Sequence, residues 1–327
     1  MLFDRISHHC HRIYQQCGLV LLAFALTLAA HAATPDPAAF NGFDVANASV
    51  PITAIQRGGP PRDGIAAIDR PIFVSAAQAP LSATDRVLGV AINGIARAYP
   101  VRILNWHEVV NDRFGARAVA ITYCPLCGTG VAFDAQVGGE TLRFGVSGLL
   151  YNSDVLLFDR ASASLWSQLN QTAISGARKG QRLQTIPMSH TSWADWRKRH
   201  PATTVLSEDT GFARDYGRDP YAGYDKVQKL MFDVEHRDDR LPLKEWVLGV
   251  QVGPVFKAYP FSTLELRVNA QGMLRDTVAG QKLRIRYDAR HQTAQVFDAH
   301  GRPWPSTMAF WFAWFAFHPD TEVLSPR

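Results

Sequence analysis

The residues most suited to chemistry are Tyr123-Cys124-Pro125-Leu126-Cys127-Gly128, where two cysteines stand three positions apart between strand-like segments. Three chemistries fit this spacing. In a metal-binding knuckle, Pro125 presets the turn, both sulfurs face one point, and Gly128 accepts a positive φ. A thiol–disulfide redox pair needs its first thiol at a helix N-terminus. Here the pair runs instead into Gly128-Thr129-Gly130 and a strand-like Val131-Ala132-Phe133. A local disulfide suits an oxidising compartment, but closing so short a loop stabilises little. No second knuckle exists, so a metal must draw its other ligands from elsewhere. The leading candidate is His107, in Leu104-Asn105-Trp106-His107-Glu108, with Met188 or His190 as further possible donors. A thiolate–imidazole set outside the cytoplasm suits copper or zinc.

Further polar residues are candidates for a pocket beside the cysteines: Glu108, Ser147, Asn152, Asp159, Arg160, Trp166 and Gln168. Glu108 reads as a surface carboxylate, or else as a base or an acceptor behind a ligand. The others serve equally well as turn formers and a structural ion pair. Several enzyme classes are excluded. His107-Glu108-Val109-Val110-Asn111 lacks the second histidine of a zincin helix. Gly145–Leu149 lacks the final glycine of a nucleophile elbow. No phosphate-binding or dinucleotide fingerprint is present, so no nucleotide cofactor is expected.

These residues must be positioned by a fold, and the sequence describes one. The 327 residues are 47% hydrophobic and 19% charged, which excludes a disordered chain and implies a large core. A net charge of +5 spread over this length is not a nucleic-acid footprint, so no nucleic-acid partner is expected; a small molecule or a protein remains the open class. Arg5 and Arg12 precede the apolar run Cys17–Ala30, which ends in Ala30-His31-Ala32. This predicts a signal peptide over 1–32 cleaved near Ala32, and a periplasmic or secreted protein. The run is too short to span a bilayer, so no transmembrane span is expected in the mature chain. Removing residues 1–32 from the 327 leaves 295, with Cys124 and Cys127 the only cysteines.

The mature chain reads as an irregular leader over 33–63 and one pseudo-duplicated domain over 64–327. Val87-Leu88-Gly89-Val90 and Ala98-Tyr99-Pro100 recur as Val247-Leu248-Gly249-Val250 and Ala258-Tyr259-Pro260. His200-Pro201 with Val205-Leu206-Ser207 recurs as His318-Pro319 with Val323-Leu324-Ser325. The halves run over about 86–207 and 246–325. His107 has no counterpart in the second half, whereas His200 does. Short alternating segments over 86–90, 95–99, 118–123, 130–133, 141–146 and 155–159, divided by glycine turns, predict strands. The fold class is mainly β, a β-rich α+β protein with meander or barrel-like sheets and a few short helices. One helix is predicted over 193–199, capped by Ser192, and another over the apolar segment 308–317, most simply a core helix.

Four runs together are specific: A-Y-P-V-R-I-L-N-W-H-E-V-V-N-D, I-T-Y-C-P-L-C-G-T-G-V-A-F-D, F-G-V-S-G-L-L-Y-N-S-D and L-W-S-Q-L. In these the chain resembles the domain of unknown function 3179 family over roughly residues 58–325. The resemblance implies an exported prokaryotic protein whose signature includes the positions of His107, Cys124, Cys127, Ser147, Gly148, Asn152 and Trp166. It implies no reaction. The expectation is therefore an exported protein that binds one copper or zinc ion through Cys124, Cys127 and His107. The alternatives are a thiol–disulfide redox protein and a non-catalytic binding or assembly module.

Overall fold

Hairpins dominate the chain. The repeated V-L-G-V and A-Y-P segments are the two arms of one hairpin in each half: Leu88 faces Tyr99 and Gly89 faces Ala98, as Leu248 faces Tyr259 and Gly249 faces Ala258. Asn93 and Gly94, both at positive φ, close the first hairpin in the manner of a type I′ turn. A computed structural model describes residues 36–326. The signal-peptide expectation over 1–32 lies outside the described residues. Strand makes up 40% of the structure against 13% helix, so the mainly β expectation holds. The sheets are small and separate, and they stand in a propeller-like ring instead of closing one barrel.

The two halves follow the same path. In the first, the hairpin Arg86–Ile92 and Ile95–Pro100 leads into helix α1 (Val101–His107) and three antiparallel strands, Val109–Phe114, Arg117–Cys124 and Thr129–Asp134. The chain then adds Thr185–Ile186 to that second sheet and Ser189–Ser192 to the first. Helix α2 (Trp193–Arg199) comes next, and Thr204–Leu206 returns parallel to Ile95–Pro100. In the second half, the hairpin Trp246–Val252 and Val255–Pro260 leads into helix α3 (Phe261–Arg267) and the strands Met273–Val278, Gln281–Asp288 and Thr293–Asp298. Pro303–Trp304 and Ser306–Phe310 return to the two sheets, helix α4 (Trp311–Phe317) comes next, and Glu322–Val323 closes parallel to Val255–Pro260.

Two sheets have no counterpart, the two-stranded ribbon of Gln136–Val137 with Glu140–Thr141 and a larger inserted sheet. Between Asp134 and Thr185 the first half inserts Phe144–Tyr151, Asp154–Asp159, Leu165–Ser167 and Thr172–Ala173, completed by Ile55–Arg57 from the leader. The leader is thus less irregular than expected: it supplies an edge strand, and Phe43 and Val45 are buried in the core. Ser192 caps α2 through Asp195 N as predicted. The segment 308–317 splits instead, because its first residues complete a sheet before α4 begins. The glycine in each repeated hairpin makes room for a tryptophan. A Cβ on Gly89 would stand 2.3 Å from the Trp196 ring, and one on Gly249 2.1 Å from Trp314. The two histidines that end α2 and α4 pack on those same rings, at 4.0 Å for His200 and 4.3 Å for His318. Among the described residues no helix is long and apolar enough to cross a membrane.

Candidate metal centre

The cysteines sit where a long strand ends. Arg117–Cys124 is buried over nearly its whole length, and Gly128, at φ +63°, reverses the chain into Thr129–Asp134. Trp246 closes over that glycine, where a Cβ would meet its ring at 2.5 Å. Cys124 and Cys127 are both free thiols and almost wholly inaccessible. The inserted sheet supplies the third group. Asn152 and Ser153 both have positive φ and turn Phe144–Tyr151 into Asp154–Asp159, the pattern of a type I′ hairpin. That turn aims the Ser153 carbonyl at both thiols, which donate to it at 3.8 Å (Cys124) and 3.4 Å (Cys127). It also carries the Asp154 carboxylate to the sulfurs. The ligand atoms of Cys124, Cys127 and Asp154 lie within 4.8 Å of one another, close enough to hold a metal ion.

Electrostatics mark the place as short of positive charge. Burial pushes the Cys124 thiol up, and Cys127 goes well above the ordinary thiol range, first through burial and then through Cys124. Burial raises Asp154 to about 7 against the hydrogen bonds that its carboxylate accepts. Glu108 is raised to about 8 by burial and then by the charge of Asp154. Four acidic groups in one buried region are each held toward their neutral forms. Several polar atoms there are also unsatisfied. Leu169 N donates to Asp154 Oδ2 at 3.1 Å, but Asp154 Oδ1 is buried without a partner, as are Ser153 Oγ and Gln168 Oε1. Buried orphans cost free energy, and three in one neighbourhood suit a seat for a cation and its water.

The other predicted residues divide by position. Glu108 ends α1 in a left-handed conformation, buried, and its carbonyl accepts from Tyr123 N at 2.8 Å, which ties it to the cysteine strand. Gln168 donates to Thr122 Oγ1 at 2.8 Å, on the same strand. His107 is not brought into the metal-capable group: Nδ1 bonds the Ala66 carbonyl at 2.7 Å and Nε2 the Tyr216 hydroxyl at 2.6 Å. His190 is likewise outside it, its buried ring lying between Tyr123 and Trp246, while the Met188 side chain reaches toward Gly130. Ser147 bridges the bulge between Val146 and Leu149, bonding Leu156 O and Leu149 N. Asn152 holds Ala316 O and Glu235 N. Asp159 accepts from Trp166 Nε1 at 2.9 Å, and Arg160 forms a two-pronged pair with Asp63. These last five residues build the frame.

Asp154 has no assigned role in the sequence reading; the signal that could have found it is a lone acid directly after an Asn-Ser turn. A long loop between Leu206 and Trp246 packs Tyr224 into the core cluster that contains both cysteines. Lys244 Nζ holds that loop through the Tyr224, Val227 and Lys229 carbonyls.

Ring and site together define a mainly β protein with a buried dithiol–carboxylate group at the junction of two sheets. Residues 62–321 match the family described as "Protein of unknown function (DUF3179)". The chain belongs to that family. Comparison with the curated proteins and with the solved structures finds no match.

Proposed function

We propose that this is an exported protein that holds one zinc ion through Cys124, Cys127 and Asp154. The observation that carries the reading is the orphaned, fully buried Asp154 Oδ1 beside two buried thiols. A divalent cation would complete the carboxylate, displace the thiol protons and offset the clustered negative charge. Two thiolates and a carboxylate suit zinc better than copper, which favours imidazole and thioether beside thiolate. Three protein donors are the count of a site that keeps a position for a water or a substrate oxygen. Glu108 is the neighbouring carboxyl suited to hold a proton there. Zinc would supply Lewis-acid polarisation when bound; this chain orients the donors, keeps out bulk water and holds a proton on Glu108.

Export rests on residues 1–32, and a bound metal would keep the two thiols from oxidising in that compartment. Thiol–disulfide exchange is the weaker reading. Both thiols are buried at a strand end, with burial raising them, and a raised thiol is a poor nucleophile. The test is elemental analysis of the full chain purified from periplasmic extract, beside Cys124→Ser and Asp154→Asn. One zinc per chain is expected in the parent, with loss in both variants. No stoichiometric metal after reconstitution under reducing conditions overturns the reading.

A further inference from the structure

Two clefts of about 360 and 330 Å³ lie side by side and share Met188, Trp304 and Ser306. They are the same cleft made twice. Each is floored by the hairpin glycine and the tryptophan that covers it, Gly249 with Trp314 in one and Gly89 with Trp196 in the other. Each is flanked by the histidine that ends the helix, His318 or His200. The shared residues occupy matched positions as well: Met188 precedes the strand before α2 as Ser306 opens the strand before α4. Strand Thr129–Asp134 touches Ser306–Phe310 from the other half, and Thr293–Asp298 touches Ser189–Ser192 in return. Such reciprocal contacts place the two clefts about a shared approximate two-fold relation.

The copies have diverged in charge. The smaller cleft includes Arg199 and Arg286, both directed to Asp195, at 2.6 and 3.7 Å. No Asp, Glu, Lys or Arg lines the larger one. Its polar groups are neutral amides and hydroxyls, chiefly Gln171, Gln251, Thr185 and Thr307. Its aromatic surfaces are Trp304, which donates to the Gln251 carbonyl at 3.3 Å, and Phe256, on which His318 stacks at 3.9 Å. Burial pushes His318 down to about 3, so this ring is neutral at physiological pH.

We infer that the larger cleft binds a neutral saccharide, with a sugar ring lying on Trp304 or Phe256 and its hydroxyls paired with Gln251 and Gln171. A sugar presents an apolar C–H face for an aromatic ring and a rim of uncharged donors and acceptors, which is the lining found here. A charged ligand would meet no counter-charge within this cleft; Arg182 stands in the adjoining cleft, which shares Gln171, Gln251, Phe256 and His318 with it. A purely apolar ligand would strand the amides. The volume lies at the lower end of small-molecule sites, roughly 300–1,000 Å³, which fits one or two sugar rings. The saccharide cleft is independent of the metal site, though the two places adjoin: Leu169 lines the cleft while its amide holds Asp154.

The test titrates the full chain with cellohexaose, maltohexaose and chitohexaose, read by tryptophan fluorescence and calorimetry. At least one should bind with one-to-one stoichiometry. Trp304→Ala and Gln251→Ala should each weaken it at least about tenfold with unchanged circular dichroism, and Arg286→Ala, in the sister cleft, should leave it unchanged. If Trp304→Ala fails to fold, Gln251→Ala and Gln171→Ala decide the matter. Absence of binding by all three sugars up to about 10 mM overturns the inference, as does binding indifferent to the cleft substitutions or weakened equally by Arg286→Ala.

Discussion

Asp154→Asn should make the metal-free protein more stable in mild alkali while weakening its hold on zinc. The side chain keeps its shape, and an amide oxygen still accepts from Leu169 N. In the metal-free protein the Asp154 carboxyl is raised to about 7 from an ordinary value near 3.8. The fold therefore binds this proton more tightly than the unfolded chain does. The contribution is fully present below the unfolded value and is lost as pH rises through 7. Between pH 5 and 7 that is two units at about 1.4 kcal/mol each, or about 3 kcal/mol. Glu108, raised to about 8, falls in the same direction over the next unit. Against a typical total of about 5–15 kcal/mol this is a large fraction. Urea unfolding of chelator-treated protein at pH 5 and pH 8 should show the parent losing stability and Asp154→Asn losing about 3 kcal/mol less. Zinc at about a thousand times its dissociation constant should restore about 4 kcal/mol to the parent at pH 8 and clearly less to the variant. A metal-free parent as stable at pH 8 as at pH 5, with zinc stabilising both proteins equally, refutes the reasoning.

Other outcomes rest on the same geometry. Iodoacetamide at pH 8 should leave Cys124 and Cys127 of the folded, metal-free protein largely unmodified and alkylate both after unfolding in urea; rapid labelling of the native state would favour thiol chemistry. His107→Gln should retain one zinc per chain by elemental analysis while costing about 1–3 kcal/mol in urea unfolding, because the Ala66 carbonyl and Tyr216 hydroxyl lose a buried partner. Loss of zinc in that variant would instead make His107 a ligand. Gly249→Ala should destabilise the fold by about 1–3 kcal/mol and so lower its melting temperature, since its methyl would stand 2.1 Å from the Trp314 ring. An unchanged melting temperature would contradict that packing.

Local order was legible where one interaction decides it. Alternation and glycine turns located the hairpins, and Ser192 with Asp195 located α2. The duplication showed which segments would adopt one path twice. Helices α1 and α3 were missed because Val101–His107 and Phe261–Arg267 are seven-residue turns between strands, too short for periodicity to declare. The segment 308–317 read as one helix because a buried strand and a buried helix are both continuous apolar runs. At the site, the cysteine pair was plain from spacing and its turn. Asp154 was not, since its approach depends on how the inserted sheet docks on the next one, which no local pattern records. His107 lies near Cys124 in sequence, yet α1 turns its ring to Ala66 and Tyr216.

The inserted sheet also has a bearing on the order of folding. Cys124 and Asp154 stand only 30 positions apart, and two adjoining hairpins supply every donor. Closing the ring spans far more of the chain, since Phe310 must reach the Cys127 carbonyl, and Arg86 the His291 carbonyl. Short loops close far sooner than long ones, so a cation captured by the three donors would pin the two hairpins together before the second half arrives. Metal supply would then govern how fast the chain matures as well as how stable it becomes, and a chain starved of metal would linger with those two hairpins unpinned and its ring open.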